Sequence, residues 1–255
     1  MFIDTHTHIY LEDFSKDRYQ IIQECVKAKV DKLLLPNIDS STIEDVINIS
    51  KDYENFCFPM VGLHPCSVSH GFNKELTILK PYIDKYKPIA IGEIGIDLYW
   101  DKSTYEFQKN AFIEQINWAV EFNLPIVIHA RESYKEIFQI LDSLNNDTLK
   151  GVFHCFSSNL NDAKHILDYG GFKLGIGGLV TFKNSGLDKV LKEIKIENLV
   201  LETDSPYLTP DPFRGKRNKS SYIPLIANKL SDIYEISIEE IGKITSLNAA
   251  KIFNI

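Results

Sequence analysis

His6-Thr7-His8 stands at the end of a short apolar run near the start of the chain. Strand side chains alternate between faces, so histidines at positions i and i+2 point to the same side and can share a metal ion. By itself such a pair is a weak signal. Four further residues strengthen it: Glu93, His129, His154 and Asp204 each stand at, or just after, the end of another β-rich run. Imidazole nitrogens and carboxylate oxygens together suit Zn²⁺, Mn²⁺ or Mg²⁺, and six such groups exceed the four of a closed structural zinc site. The set reads as binuclear, with His6, His8 and Asp204 on one ion, His129 and His154 on the other, and Glu93 bridging through its two oxygens.

Other residues fall near the same ends. His64, in Gly62-Leu63-His64-Pro65, follows a further run and reads as a phosphate-contacting or supporting group rather than another ligand. Arg131, two residues after His129, carries a guanidinium suited either to bidentate phosphate binding or to a structural ion pair. Glu202 shares strand parity with Asp204, which makes it an acceptor for the far nitrogen of a ligand histidine. Tyr99, Trp100, Tyr207 and Phe213 offer faces for stacking unpaired bases. Beside them lies the basic cluster Arg214-Gly215-Lys216-Arg217-Asn218-Lys219, with Arg214 and Arg217 as substrate-binding candidates. His70 and His165 fall in predicted loop and helix and read as packing residues.

These groups need strands whose ends converge. Eight short apolar runs recur along the chain: Phe2 to Thr5, Lys32 to Leu35, Phe56 to Leu63, Ile89 to Ile94, Pro125 to His129, Gly151 to Phe156, Phe172 to Ile176 and Leu199 to Thr203. Runs such as Ile126-Val127-Ile128 are apolar at every position, as strands covered on both faces are. Amphipathic segments separate them, opened by Ser-x-x-Glu boxes at Ser41, Ser103, Ser133 and Ser237. Such boxes satisfy free N–H groups in a first helical turn. Phe112, Ile116, Ala119 and Val120 at helical spacing predict a long helix from Glu106 to Phe122. Repeated βα units of this number in 255 residues favour an α/β fold, a single-domain TIM-type (β/α)8 barrel over residues 1–255, rather than an open doubly wound sheet. Active sites of such barrels are built at the C-terminal strand ends, where all six candidates fall.

Bulk properties set outer limits. No apolar run approaches the roughly 20 residues of a membrane span, and nothing in Met1 to His6 reads as a secretory leader. The four cysteines, Cys25, Cys57, Cys66 and Cys155, form no C-x-x-C pair. The expectation is a cytoplasmic protein with reduced, structural thiols, no membrane association and no evident obligate protein partner. A net charge of −7 opposes a surface that attracts nucleic acid everywhere, so any polyanion must be met locally, by bound cations and the basic cluster.

Together these motifs resemble the TatD family of metal-dependent deoxyribonucleases, within the metal-dependent hydrolase superfamily. The resemblance rests on the His6-Thr7-His8 pair, Gly62-Leu63-His64-Pro65, Gly92-Glu93-Ile94-Gly95-Ile96-Asp97, His129-Ala130-Arg131, Phe153-His154-Cys155-Phe156-Ser157, Glu202-Thr203-Asp204-Ser205-Pro206-Tyr207-Leu208 and Arg214-Gly215-Lys216-Arg217-Asn218, which run from end to end. It implies a TIM-type barrel with metal ligands at His6, His8, Glu93, His129, His154 and Asp204, the residues that strand position also selects. Two positions depart: Ser158, where glycine is common, and Ser220, where proline often follows the basic segment. Both bear on loop shape and substrate preference rather than on metal binding.

The reaction this implies is hydrolysis of DNA phosphodiester bonds, single strands preferred, by a metal-activated water. Asp204 accepts or relays the proton of that water, and Glu93 holds two ions at working separation. Two other readings use the same residues. A metal-dependent amidohydrolase or esterase would cleave a small C–N or C–O bond or an aminoacyl-tRNA adduct. Many of those relatives bridge their metals with a carboxylated lysine, whereas the fourth run here carries Glu93 and no lysine. A scaffold with purely structural metals would close its sites with four protein ligands, unlike six shared over two ions.

Overall fold

The computed structural model describes residues Met1–Ile255. Eight strands alternate with helices: β1 (Phe2–Asp4), α1 (Arg18–Lys27), β2 (Val30–Pro36), α2 (Ile43–Asp52), β3 (Cys57–Met60), α3 (Phe72–Tyr86), β4 (Ile91–Asp97), α4 (Tyr105–Phe122), β5 (Ile126–Arg131), α5 (Tyr134–Leu144), β6 (Gly151–Phe153), α6 (Leu160–Asp168), β7 (Phe172–Ile176), α7 (Leu187–Leu191), β8 (Leu199–Leu201), α8 (Ile223–Tyr234) and α9 (Ile238–Phe253). Neighbouring strands pair in parallel, β1 to β3 in one run and β4 to β8 in another. Two seams join the runs. Between β3 and β4, Gly92 N–H donates to Val61 O at 2.9 Å and Val61 N–H to Ala90 O at 3.2 Å. Between β8 and β1, Thr5 N–H donates to Leu201 O and Asp204 N–H to His6 O, each at 2.9 Å. Buried Asp4 reinforces this second seam, accepting from Thr203 Oγ1 at 2.6 Å and Thr203 N at 2.9 Å. The result is the expected TIM-type barrel, closed so that no strand edge is left open. No helix is long and apolar enough to cross a membrane.

Strand parity sorts the core into two parts. Ile3, Leu34, Met60, Val127, Val152 and Val200 pack inside the barrel with Ala249, Ile252 and Phe253 of α9. Their strand neighbours Leu33, Leu35, Ile126, Ile128, Leu199 and Leu201 face outward, beneath the helices. α9 plugs the N-terminal end, where a Cβ on Gly242 would lie 2.8 Å from Met1 O. Two residues beyond Val127, Val152 and Val200, the same inward parity reaches His129, His154 and Glu202. An apolar plug thus supports a polar mouth.

β4 breaks simple alternation. Ile91 pairs with Ile126 but Ile94 pairs with Ile128, so β4 carries one extra residue, a β-bulge. Ala90 belongs to the inner cluster and Ile91, Ile94 and Ile96 to the outer one. The extra residue therefore turns Glu93, and Asp97 after it, into the barrel.

Some local expectations are corrected. β4 runs on to Asp97, so Glu93 lies within the strand rather than at its end. The runs placed at Phe56 to Leu63 and Gly151 to Phe156 shrink to Cys57–Met60 and Gly151–Phe153. Of the four Ser-x-x-Glu boxes only Ser237 caps, accepting from Glu240 N–H at 3.2 Å. Ser41 and Ser103 donate instead to Asp39 and Asp101, each at 2.6 Å, and Ser133 to Ile96 O at 2.5 Å. Asp39 and Asp101 also receive the Ser41 and Ser103 amides, at 3.0 and 2.8 Å, and Ser133 Oγ receives the Arg131 amide at 3.1 Å, outside its helix.

Gly95, between Glu93 and Asp97, has φ of 142°, and a Cβ there would lie 2.1 Å from His129 O. Gly170 also has positive φ, 81°, but nothing within 4 Å. Gly95→Ala is therefore expected to lower the melting temperature by about 10 °C or more, because overpacking adds to backbone strain. Gly170→Ala carries only the strain of about 1–2 kcal/mol, or roughly 2–8 °C. Thermal melts of the two variants check this, and equal losses would refute the close-approach explanation.

Candidate metal centre

Glu93 occupies the middle of the barrel mouth. Its Oε2 lies 3.0 Å from His6 Nε2 and 3.9 Å from His8 Nε2. Its Oε1 lies 2.7 Å from His129 Nδ1, 3.3 Å from His64 Nε2 and 3.8 Å from His154 Nε2. Asp204 Oδ1 lies 3.5 Å from His8 Nε2 and 3.8 Å from both His6 and His154 Nε2. The six residues selected from the sequence are brought together. His154 borders both groups, since its ring also stacks on His6 at 3.5 Å between centroids. His64, expected as a supporting group, approaches Glu93 as closely as several of the six, and with Glu93 and His129 it forms one of the clusters able to hold a metal.

Local backbone geometry aims these side chains. Asp204 and Cys155 adopt the left-handed conformation, at φ 57° and 49°, which costs a non-glycine residue about 1–2 kcal/mol. Specific hydrogen bonds hold both: Asp204 N–H to His6 O at 2.9 Å, and Cys155 N–H to Glu202 Oε1 at 2.5 Å. The loop carrying His64 is fixed by buried amides, with Gly62 N–H donating to Asn37 Oδ1 at 2.8 Å and Leu63 N–H to Gln115 Oε1 at 2.6 Å.

Burial alone would raise the pKa of Glu93, but His64, His6 and His154, with the hydrogen bond from His129, hold it well below the usual carboxylate range. Burial would lower His129, yet hydrogen bonds to Asp97 and Glu93 raise it to about 9. Burial likewise opposes the charge on His154, and Glu202, Glu93 and Asp204 raise it to about 10. His6 goes the other way, lowered by burial and by His154. Both ring nitrogens of buried His6 lack a hydrogen-bond partner, its 3.0 Å approach to Glu93 being out of alignment. An uncharged imidazole so placed is costly unless its lone pair has a partner. Nitrogen and oxygen donors converging on that lone pair fit a divalent cation of the Zn²⁺, Mn²⁺ or Mg²⁺ type.

A ring of supporting groups surrounds these residues. Glu202, expected to accept a hydrogen bond from a ligand histidine, lies with Oε1 3.0 Å from His154 Nδ1 as an ion-pair contact that is not aligned as a hydrogen bond. Asp97 and Tyr10 went unassigned in the sequence. Asp97 Oδ2 pairs with His129 Nε2 at 2.9 Å, while Oδ1 accepts from Tyr99 and Trp100 N–H at 2.9 and 3.2 Å. Burial opposes the charge of Asp97, and His129 with these amides brings its pKa to about 2. Tyr10 Oη contacts His8 Nδ1 at 2.9 Å. Position carried a signal for both, since Asp97 lies four residues beyond Glu93 and Tyr10 two beyond His8.

Substrate-binding candidates divide. Arg131 stacks over Tyr99 at 3.8 Å, with Trp100 at 5.4 Å, and all three are exposed at the mouth. Arg214 stacks over Phe182 at 4.0 Å, and neither arginine has an acidic partner among the ion pairs. Arg217 is engaged elsewhere: its guanidinium binds Asp17 at 2.5 Å and covers the Phe14 ring at 4.6 Å. Lys219 pairs with Glu24 at 2.5 Å, and Phe213 stacks on Tyr222 at 4.7 Å, so both pack rather than face the mouth. Tyr207 is exposed 6.1 Å from His8. His70 packs on Phe107 and His165 binds Asp142, away from the centre. A cavity of 910 Å³ between α3 and α4 is lined by residues such as Leu76 and Trp118 on the outer wall and contains no histidine.

Known proteins share this arrangement of fold and sequence. Residues 3–254 match the family described as TatD related DNase. An uncharacterized metal-dependent hydrolase of Bacillus subtilis, YabD, is 37% identical over 256 residues, covering 100% of both chains. The 3′-5′ ssDNA/RNA exonuclease TatD of Pantoea ananatis is 27% identical, covering 99% of each. The crystal structure of YjjV, a TatD homologue from Escherichia coli, superposes with a TM-score of 0.92 at 28% identity, over 100% of this chain and 98% of that one. The chain belongs to the TatD-related DNase family of metal-dependent hydrolases.

Proposed function

We propose that this protein is a deoxyribonuclease that hydrolyses phosphodiester bonds of single-stranded DNA with two divalent ions. The observation that carries the reading is Glu93, whose two oxygens face two separate groups of imidazoles at a mouth flanked by unpaired arginines. His6, His8 and Asp204 would hold one ion and His129 and His154 the other, with Glu93 shared by both. Bound divalent ions supply a Lewis acid that polarises the phosphoryl oxygen and lowers the pKa of water.

The chain's own groups do the rest. Asp204 is the most exposed acid of the centre, at 15% against 3% for Glu93. Burial would raise its pKa, but His8, His154 and His6 lower it, so Oδ1 is ionised and able to take a proton from the attacking water. Arg131 and Arg214 hold substrate phosphates, with His64 at the inner side of the mouth. Tyr99, Trp100 and Tyr207 stack on bases, and only unpaired bases present those faces. The nuclease description of the Pantoea relative supports this substrate class. The four unpaired cysteines support a reducing, cytoplasmic setting.

The deciding experiment incubates the protein with end-labelled single- and double-stranded DNA, with chelator and with Mg²⁺, Mn²⁺ or Zn²⁺ restored. Metal-dependent cleavage favouring the single strand is expected. Turnover of amide, ester or lactone panels in place of DNA would give the site to C–N or C–O hydrolysis instead. Asp204→Asn is expected to cut kcat by about 10²–10⁴-fold, and full activity at normal metal content would remove Asp204 from its role. Metal uptake should also depend on pH. His129 and His154, raised to about 9 and 10, carry protons at neutral pH in the metal-free protein, and a ligating nitrogen must lose its proton. Apparent affinity therefore rises by at least about tenfold per pH unit between pH 6.5 and 8.5. A metal titration with a flat pH profile over that range would contradict these protonation states.

A further inference from the structure

A second concavity opens at the same end of the barrel as the metal centre. It is a 530 Å³ cleft walled by the segments that follow β6, β7 and β8, with Ser157, Phe182, Lys183, Asn184, Asp211 and Arg214 on its surface. Ser157 stands three residues after His154, and Asp211 and Arg214 follow Asp204 in the chain, so the cleft is walled by the loops that continue from strands carrying metal-centre residues. Its volume lies within the range of small-ligand sites.

Its chemistry is specific. Arg214 lies flat over Phe182, 4.0 Å from the ring centroid. A stacked guanidinium keeps its N–H groups in plane and free, a geometry that grips phosphate oxygens in bidentate fashion. Neither Arg214 nor Lys183 is in an ion pair. Against the single acid Asp211 these two cations leave one net positive charge, in a protein whose net charge is −7. Ser157 and Asn184 add donors and acceptors at hand for a base or sugar. The larger cavity between α3 and α4 differs in charge: it carries Lys80 opposite Asp84, Glu114 and Glu121.

The mouth has a matching plate on another side. Arg131, at the end of β5, lies over Tyr99 at 3.8 Å and is likewise without an acidic partner. β5 and β8 are separated in the barrel order by β6 and β7, so the two arginine-aromatic plates flank the metal centre from different directions. Two such plates suit a polyanion running across the mouth, with one phosphate at each plate and the diester to be cut between them.

We propose that the cleft between the β6, β7 and β8 loops is a subsite for the nucleotide flanking the scissile phosphodiester, with Arg214 and Lys183 holding its phosphate and Phe182 forming its apolar wall. The proposal rests on the nuclease reading above and adds to it a reason for preferring longer strands. A dinucleotide has no flanking phosphate to place in the cleft, whereas a tetranucleotide does.

The test compares kcat/KM for the thymidine oligomers dT2 and dT4 with metal-loaded protein. Wild type is expected to favour dT4 by at least about tenfold, as one charge-assisted bidentate contact provides. Arg214→Ala and Lys183→Ala should each narrow that ratio about fivefold or more, mainly through the KM of dT4, with Arg214→Lys intermediate. The salt dependence of log KM for dT4 should become shallower by about 0.7 in Arg214→Ala, as for loss of one phosphate contact on a single strand. Lys243→Ala, on α9 at the far end, serves as the control and keeps the wild-type ratio. A merely structural role would depress both substrates together, and that outcome, or an unchanged ratio in the cleft variants, overturns the subsite while leaving the nuclease reading intact. Failure of wild type to cut either oligomer overturns the nuclease reading, and the subsite with it.

Discussion

Burying a carboxylate at the centre of a barrel costs several kcal/mol unless opposite charge and hydrogen bonds surround it, and Glu93 is 2% exposed. Each of its oxygens is met by imidazoles from other strands, and each of those rings then needs a partner on its far side. Asp97 serves His129, Glu202 serves His154 and Tyr10 serves His8. The outer acids are anchored in turn by backbone amides, Tyr99 and Trp100 for Asp97 and Cys155 for Glu202. The site is thus built in alternating layers of charge around one residue. This layering links Glu93 to the rim of the mouth, because the turn whose amides cap Asp97 also presents the aromatic rings beneath Arg131.

The barrel separates the tasks of stability and chemistry along its axis. At the N-terminal end, apolar residues of the strands pack on Ala249, Ile252 and Phe253 of α9. At the C-terminal end the same inward parity delivers histidines and acids. The transition takes a single strand step, from Val127 to His129 or Val152 to His154, so the polar layer rests directly on a close-packed floor. Close packing gives such a floor little compliance, which suits a site whose donor atoms must hold spacings of a few ångströms against mutual repulsion among like-charged rings.

Much of this was legible in the chain because it depends on period. His6 with His8, and His129, His154 and Asp204 at strand ends, follow from counting by two along apolar runs. Glu93 was likewise selected as a strand-end residue, but it lies within β4, and its inward aim rests on an inserted residue that no alternation rule reveals. Without that bulge Ile94 would share the inner parity of Ala90. The serine boxes misled for a related reason: a serine caps only when its oxygen receives a free helical N–H, and here Asp39 and Asp101 receive the Ser41 and Ser103 amides while Ser133 Oγ receives that of Arg131. Arg217 looked like a substrate group because its partner Asp17 lies 200 positions away in sequence. Ion pairs across that distance become visible only once the barrel closes.

Under the nuclease function proposed above, that pairing changes how an acidic protein would meet a polyanion. The basic segment from Arg214 to Lys219 reads as one patch, yet Arg217 and Lys219 are neutralised by acids of the α1 region. What remains at the mouth is a small number of unpaired cations, among them Arg131 and Arg214, each placed by stacking on an aromatic ring. Affinity for nucleic acid scales with the number of phosphates neutralised, each adding about 0.7 to the salt slope on a single strand. Two or three contacts on a surface of opposite overall sign therefore give short-range, weak attraction rather than tight capture. For a hydrolase this has a physical advantage. A fragment that leaves with few phosphate contacts dissociates readily, and binding energy is concentrated beside the metal centre, where it can act on the reacting bond.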